Sequence, residues 1–281
     1  MSGGATPRRL TVNADDFGWS KSVNRGIIET HVNGIVTATS ILAAGTDFDD
    51  AVELARATPS LEIGVHLNFY RGTPVLPADK VRSLLGEDGR FLGSWKTIVG
   101  RLATGRFDML ELEAELRAAI ERVLSVGITP GHLNSEKHLH LWPSAFAVVA
   151  KLAEEFAISR VRLVHESSHP RPVPLALSAF SAIDARQVRS RGLSAPDATI
   201  GVGMAPTTTD ALERLLAEPA GRDVELVVHP GHVDEEFREI GRTLPNRLEC
   251  SREEELAVLA SPQARELVTR AGYVLGSAGR E

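Results

Sequence analysis

Apolar positions along the chain fall into short β-branched runs separated by stretches of helical period, and this alternation is the primary structural signal. Residues 9–13 (RLTVN) predict a short buried strand that ends in Ala14-Asp15-Asp16-Phe17-Gly18. Ser22 is a suitable N-cap for a helix through His31, closed by Asn33-Gly34. Residues 35–43 (IVTATSILA) predict a central strand. Residues 48–57 predict a helix that stops before Pro59, and residues 61–67 (LEIGVHL) a strand with His66 near its end. From 70 to 107 the periodicity loosens into Gly, Pro and short apolar pieces, the pattern of a long insertion or lid containing short helices.

Residues 108–126 are strongly periodic and predict a helix that ends at Gly127; 128–134 predict the next strand. Trp142-Pro143 starts a helix through about Phe156, and 160–165 (RVRLVH) read as a strand. A proline-rich loop at 166–174 precedes a helix at 175–191 and a strand at 198–204. A helix at 207–216, with a Thr/Asp start signal, leads to a strand at 224–228. A long helix at 251–271, broken near Pro262, and a last strand at 273–276 complete the pattern. Such alternation implies repeated βα units and a largely parallel sheet. Seven or eight units in a single domain over 1–281 suit a (β/α) barrel better than an open sheet.

One stretch stands out chemically. Gly131 to Pro143 (GHLNSEKHLHLWP) places His132, Asn134, Glu136, His138 and His140 at every second position. In an extended segment these side chains share one face, but at roughly 3.3 Å rise per residue they cannot all reach one ion. Either the chain bends within the run, or only near neighbours act together. A half-buried strand with a polar face explains a lone histidine; three His and a Glu in nine residues point to a site.

Composition narrows the classes. A net charge of −6 without a long Lys/Arg block argues against nucleic acid as a partner. Cys250 is the lone cysteine, which excludes an intrachain disulfide and a thiolate zinc site and suits a reducing cytoplasm. No apolar stretch approaches the ~18 residues of a membrane span. Asp15/Asp16, His66, the 132–140 run and His229/His232 all fall at the C-terminal ends of predicted strands, the end where barrel enzymes build their sites. Each alone has a plain reading: a helix cap, a core histidine, a turn. Together their N and O donors suit Zn²⁺, Mn²⁺, Co²⁺ or Mg²⁺. One carboxylate of the Asp pair can bind an ion while the other takes a proton from water, and a histidine from another strand can protonate a leaving nitrogen. This is amide hydrolysis. No Walker loop and no G-x-S-x-G elbow is present.

The motifs N-A-D-D-F-G (13–18), N-R-G-I-I-E (24–29), N-G-I-V-T-A-T-S (33–40), G-V-H-L-N (64–68), H-L-N-S-E-K-H-L-H-L-W-P (132–143) and V-V-H-P-G (227–231) occur in order. Together they resemble the YdjC-like carbohydrate deacetylases. The resemblance implies a distorted (β/α) barrel and one divalent metal ion in a groove that removes acetyl groups from N-acetylated amino sugars. It implies Asp16 and His66 as metal ligands, Asp15 as base and His229 as candidate acid. The family pattern H-L-D-S-H differs here in having Asn134 for Asp and Glu136 for the metal-binding His. Glu136 can still ligate through oxygen, with a preference for harder ions, whereas Asn134 gives up a carboxylate that would orient a neighbouring histidine. Trp19 and Trp142 are the candidate sugar-stacking rings, with Asn68, His138 and His140 as polar substrate-binding candidates. Two further readings are a non-catalytic sugar- or metal-binding homologue, and a glycosidase using Asp15 or Asp16 with Glu136. A homodimer is the assembly to test for.

Overall fold

The computed structural model describes residues 8–165, 172–217, 221–243 and 249–277. In chain order its elements begin with β1 (Arg8–Phe17), α1 (Lys21–Val32), β2 (Ala38–Ile41), α2 (Phe48–Ala57) and β3 (Glu62–Leu67). Next come α3 (Trp95–Ala103), α4 (Met109–Ser125), β4 (His132–Ser135), α5 (Pro143–Glu155), β5 (Arg160–Val161) and α6 (Pro172–Ser190). They are followed by β6 (Ala198–Ile200), α7 (Thr209–Ala217), β7 (Asp223–Val228), α8 (Glu235–Thr243), α9 (Glu249–Leu259), α10 (Pro262–Arg270) and β8 (Tyr273–Leu275).

The strands form one parallel sheet in the order β5-β4-β3-β2-β1-β7-β6, with β8 paired to the first residues of β1. Alternate positions divide each strand. Leu10, Val12, Ala14, Ile63, Val65, Leu67, Leu133, Val161, Val224, Leu226 and Val228 are buried and belong to one apolar core. The opposite parity is polar yet enclosed: Asn13, Asp15, Ser40, Glu62, His66, His132, Asn134, Arg160, Arg162 and Glu225 are all buried. These polar groups pair across the sheet. Arg160 on β5 bonds Asp223 on β7, and Arg162, directly after β5, reaches both Asp15 on β1 and Glu225 on β7. Strands that are not neighbours meet only if the sheet curls, so these contacts define a lumen. The two ends of the sheet also approach: Arg160 bridges Ser194, and Thr199 Oγ1 donates to the Leu163 carbonyl at 2.6 Å. The result is the expected distorted (β/α) barrel. Gly64 serves the lumen directly, because a Cβ there would lie 2.3 Å from His132 Nε2.

The sequence placed most elements and misjudged their edges. β1 runs through both aspartates instead of ending before them, while β5 and β6 are shorter than the runs that predicted them. The cap of α1 is Ser20, whose side chain accepts from Val23 N; Ser22 lies within the helix. The helix expected over 251–271 is two, α9 and α10, with Ser261 capping the second ahead of Pro262. α8 had no clear signal. The proline-rich loop over 166–174 lies largely outside the described residues. Residues 70–107 hold two short 3₁₀ turns, an antiparallel Leu85–Phe91 bridge and α3. They pack through Val81, Leu84, Ile98 and Leu102 and are tied to α4 by Glu115, which accepts from Val75 N and Leu76 N. Among the described residues no helix is long and apolar enough to cross a membrane.

Candidate active site

The last turn of β1 brings both aspartates to one place. Neighbouring residues on a regular strand face opposite sides. Here the β1–β2 register shifts between Ala14 and Phe17, and Asp16 adopts φ 75°, so its carboxylate joins that of Asp15 at the mouth of the lumen. A non-glycine residue in the left-handed region is uncommon, and such local strain gathers at functional sites. Asn24 clamps the next turn: its Oδ1 accepts from Gly18 N at 2.6 Å, and its Nδ2 donates to Asp50 at 2.7 Å.

Asp15 is held from several sides. Its Oδ1 accepts from Asn13 Nδ2 (2.8 Å), Ser40 Oγ (3.0 Å), Asn134 Nδ2 (3.1 Å) and Arg162 Nη2 (2.9 Å). Its Oδ2 accepts from Arg162 Nη1 (2.8 Å) and lies 4.0 Å from His229 Nε2. Burial alone would push this carboxyl up, but Arg162, aided by His66 and His229, holds it well below the usual range. Oδ1 is saturated with donors, so Oδ2 is the oxygen with capacity to accept a further proton.

Asp16 behaves similarly. Burial opposes its ionisation, yet Arg252 and then His66 draw its carboxyl down. Arg252 Nη2 bonds Asp16 Oδ2, leaving Oδ1 at 3.7 Å from His66 Nε2. The other nitrogen of His66 faces Asn134 Oδ1 at 2.7 Å. Because the Asn134 amide nitrogen donates to the acceptor-only Asp15 carboxylate, its orientation is forced and Oδ1 must accept from His66 Nδ1–H. That bond fixes the tautomer and turns the Nε2 lone pair toward Asp16. Asn134 therefore keeps the orienting role that the loss of a carboxylate was expected to weaken, and it gains a donor that an aspartate lacks.

The 131–143 run does bend. β4 stops at Ser135, and Lys137 and His138 take φ of 55° and 54°. His132 and Asn134 stay in the lumen, with His132 Nδ1 3.0 Å from Glu62. Glu136, buried at the start of the turn, pairs ionically with Arg71 Nε at 2.5 Å through Oε1, and neither of its oxygens has a hydrogen-bond partner. Burial pushes its carboxyl up against the pull of Arg71. His140 is fully buried, with Nδ1 on Ser135 Oγ (2.7 Å) and Nε2 on the Arg162 carbonyl (2.9 Å). Burial takes its pKa down to about 3. It braces the turn and has no polar atom left for a ligand. His138 is half-buried with an unpartnered Nδ1, and burial, reinforced by Arg162, holds it well below the usual imidazole value.

The remaining candidates divide. His229 follows β7; its backbone N–H donates to Glu255 Oε2 at 2.7 Å, and burial lowers its pKa to about 4 despite Asp15. His232 is elsewhere, paired with Glu29 at 3.0 Å. Asn68 is spent on its own loop: Oδ1 accepts from Tyr70 N and Nδ2 donates to the Arg71 carbonyl. Trp19 is buried beneath Arg71, whose guanidinium lies 3.8 Å from its ring centroid, so it offers no open stacking face. Trp142 remains half-buried against Phe180. The sequence reading missed three arginines, Arg71, Arg162 and Arg252. Arg160 and Arg162, at alternate positions of the run 160–165, were the one legible signal; Arg252 is camouflaged among the glutamates of α9.

Among the described residues no group of three His, Cys, Asp or Glu is gathered closely enough to grip an ion as it stands. The donor chemistry nonetheless fits one. The 3.7 Å between Asp16 Oδ1 and His66 Nε2 is too long for a hydrogen bond and near the roughly 3–3.5 Å between ligands of one ion. Glu136 Oε2, without a hydrogen-bond partner, is a candidate third donor.

The family model for YdjC-like proteins matches residues 9–270. The chain belongs to the YdjC-like family. It is 33% identical over 255 residues to a carbohydrate deacetylase of Listeria monocytogenes, covering 90% of this chain and 91% of that one. It is likewise 33% identical over 256 residues to a carbohydrate deacetylase of Geobacillus stearothermophilus, covering 91% of each. Among solved structures, a protein of Enterococcus faecalis assigned provisionally to cellobiose-phosphate cleavage superposes with a TM-score of 0.80 at 25% identity, over 97% of this chain and 98% of the other. The YdjC-like barrel thus extends through β7 and α9, where Arg252 and His229 lie, and is not confined to the N-terminal motifs.

Proposed function

We propose that the chain is a metal-dependent carbohydrate deacetylase that removes N-acetyl groups from acetylated amino sugars. The observation that carries this is the pair Asp15 Oδ2 and His229 Nε2, 4.0 Å apart beside Asp16, His66 and Glu136. That separation is too long for a direct bond, and one water set beside the line joining the two atoms can reach both at about 2.8 Å. The relatives named carbohydrate deacetylases support the substrate class.

Asp16, His66 and Glu136 are the residues that would hold a divalent ion, Mg²⁺, Zn²⁺, Mn²⁺ or Co²⁺. Such an ion supplies polarisation of the acetyl carbonyl and a lower pKa for water. The chain's own groups handle the proton. Asp15 Oδ2 takes it from the attacking water as oxygen bonds to the carbonyl carbon. His229, lowered to about 4, is neutral at pH 7 and has no proton of its own to give. The proton it delivers to the leaving nitrogen is therefore the one passed on from Asp15. The C–N bond then breaks, giving acetate and a free amine. Arg162 keeps Asp15 charged and aimed, and Asn134 keeps the His66 tautomer.

The test separates the roles. Asp15→Asn should abolish acetate release from N-acetylglucosamine oligomers and retain metal by elemental analysis, whereas His66→Ala should lose the metal itself. Full turnover in Asp15→Asn would remove the base assignment. The non-catalytic binding reading draws on the Arg71–Glu136 contact, and it predicts oligosaccharide binding without acetate release whichever ion is supplied.

A further inference from the structure

Arg71 is an unexpected group to find at this site. It is 5% exposed, with Nε 2.5 Å from Glu136 Oε1 and its guanidinium stacked 3.8 Å over Trp19. Its placement is built. The Asn68 side chain accepts from Tyr70 N at 2.9 Å and donates to the Arg71 carbonyl at 2.8 Å, closing the turn that turns Arg71 inward. The wider pattern is one guanidinium for each carboxylate: Arg162 with Asp15, Arg252 with Asp16, and Arg71 with Glu136. Arg162 and Arg252 bind carboxylates from the lumen and from α9. Arg71 alone forms its ion pair, through Oε1, with a carboxylate neither of whose oxygens has a hydrogen-bond partner.

We propose that Arg71 is a fixed counter-cation of the ion site: it restricts Glu136 to one available oxygen and weakens the site's grip on a divalent ion. The inference rests on the reading of Glu136 as a ligand. Two consequences follow from charge and geometry. Glu136 would offer an ion Oε2, since Oε1 faces the guanidinium in an ion pair. Any dication bound there also feels a unit positive charge nearby. At an effective dielectric of ~20 and a separation of about 6 Å, this repulsion exceeds what a tenfold change in affinity requires.

The experiment is calorimetric titration of metal-stripped protein with Mn²⁺, comparing wild type, Arg71→Gln, Arg71→Lys, Asn68→Ala and Glu136→Gln. Arg71→Gln should bind Mn²⁺ at least about tenfold more tightly, and Arg71→Lys, which keeps the charge, within about threefold of wild type. A merely structural Arg71 would give the opposite sign, because loss of packing disorders Glu136 and weakens binding. If Arg71→Gln fails to fold by circular dichroism, Asn68→Ala frees Arg71 without deleting it and should tighten binding at least about threefold. Unchanged or weaker affinity in the folded variants, with Glu136→Gln impaired, overturns the inference and leaves the ion site standing. Glu136→Gln equal to wild type removes Glu136 as a ligand, and absence of Mn²⁺ binding in every variant removes the site and the inference together.

Discussion

Replacing Arg162 by methionine removes one guanidinium and strands two carboxylates. Arg162 Nη1 and Nη2 lie 2.8 and 2.9 Å from the oxygens of Asp15, and its Nε lies 2.8 Å from Glu225 Oε1. All three residues are buried. The variant can keep those charges uncompensated or take up protons, and proton uptake sets the ceiling. Neutralising a carboxyl of ordinary pKa near 4 at pH 7 costs about 1.36 kcal/mol for each of roughly three pH units, or about 4 kcal/mol. Asp15 retains Asn13, Ser40 and Asn134 as donors, so its share is smaller. The expected loss of folding free energy at pH 7 is therefore about 3–5 kcal/mol, in the range for breaking a buried ion pair from one side. The pH dependence carries the sharper prediction. In wild type the Asp15 pKa is depressed, so its contribution is present above about pH 4 and is lost as pH falls through the lowered folded value. In the variant the stranded carboxyls are raised, and the folded state binds extra protons. The deficit should then shrink by about 1.4 kcal/mol per pH unit for each proton, or about 2 kcal/mol between pH 7.0 and 5.5. Urea denaturation followed by tryptophan fluorescence at those two pH values measures both quantities. A deficit below about 1 kcal/mol at pH 7, or one that does not change with pH, would refute the reasoning that Arg162 holds Asp15 charged.

Asn134→Asp replaces a donor with an acceptor 3.1 Å from Asp15 Oδ1; the new carboxylate should hold a proton jointly with Asp15 and shift the acidic limb of the kcat/KM–pH profile upward, and an unmoved limb counts against the Asn134 bridge. Glu136→His leaves the buried Arg71 cation without its carboxylate and should cost about 3–5 kcal/mol, recovered in large part when Arg71→Leu is added; urea curves on both variants decide this, and an unperturbed single variant contradicts it. His140, neutral with a folded pKa of about 3, stabilises the fold fully above its unfolded pKa near 6.5. That contribution is lost as pH falls toward 3, so unfolding free energy should decline between pH 6.5 and 4 in wild type and more shallowly in His140→Gln; parallel slopes would show that His140 does not titrate on unfolding.

The sequence was most informative where chemistry and periodicity coincided. Asp15, Asp16, His66 and His229 were legible because each ended a β-branched run, and a parallel barrel gathers strand ends on one face. The polar parity of the 131–143 run was legible too, but its outcome was not. Two left-handed residues after Ser135 divert His138 and His140 from the face that an extended chain would give them. Histidine is among the non-glycine residues that enter that region more readily, but Lys137 is not, and a left-handed pair is not legible from the residue types. The bulge that turns Asp16 alongside Asp15 was equally silent. Aromatic residues were over-read: Trp19 beside an aspartate motif looks like a sugar platform until Arg71 covers it. Arg71 and Arg252 come from a loop and a helix far from the strand-end motifs, and only tertiary packing reveals them as partners of Glu136 and Asp16.

In the proposed reaction an ion at Asp16, His66 and Glu136 would act with a proton path from Asp15 to His229 to release acetate. Metal-stripped protein should be reconstituted in turn with Mg²⁺, Mn²⁺, Co²⁺ and Zn²⁺ and assayed for acetate release from N-acetylglucosamine oligomers. No release is expected from stripped protein, and release with at least one ion, abolished by Asp15→Asn. Equal release with and without metal, or none with any ion that elemental analysis shows to be bound, would contradict it.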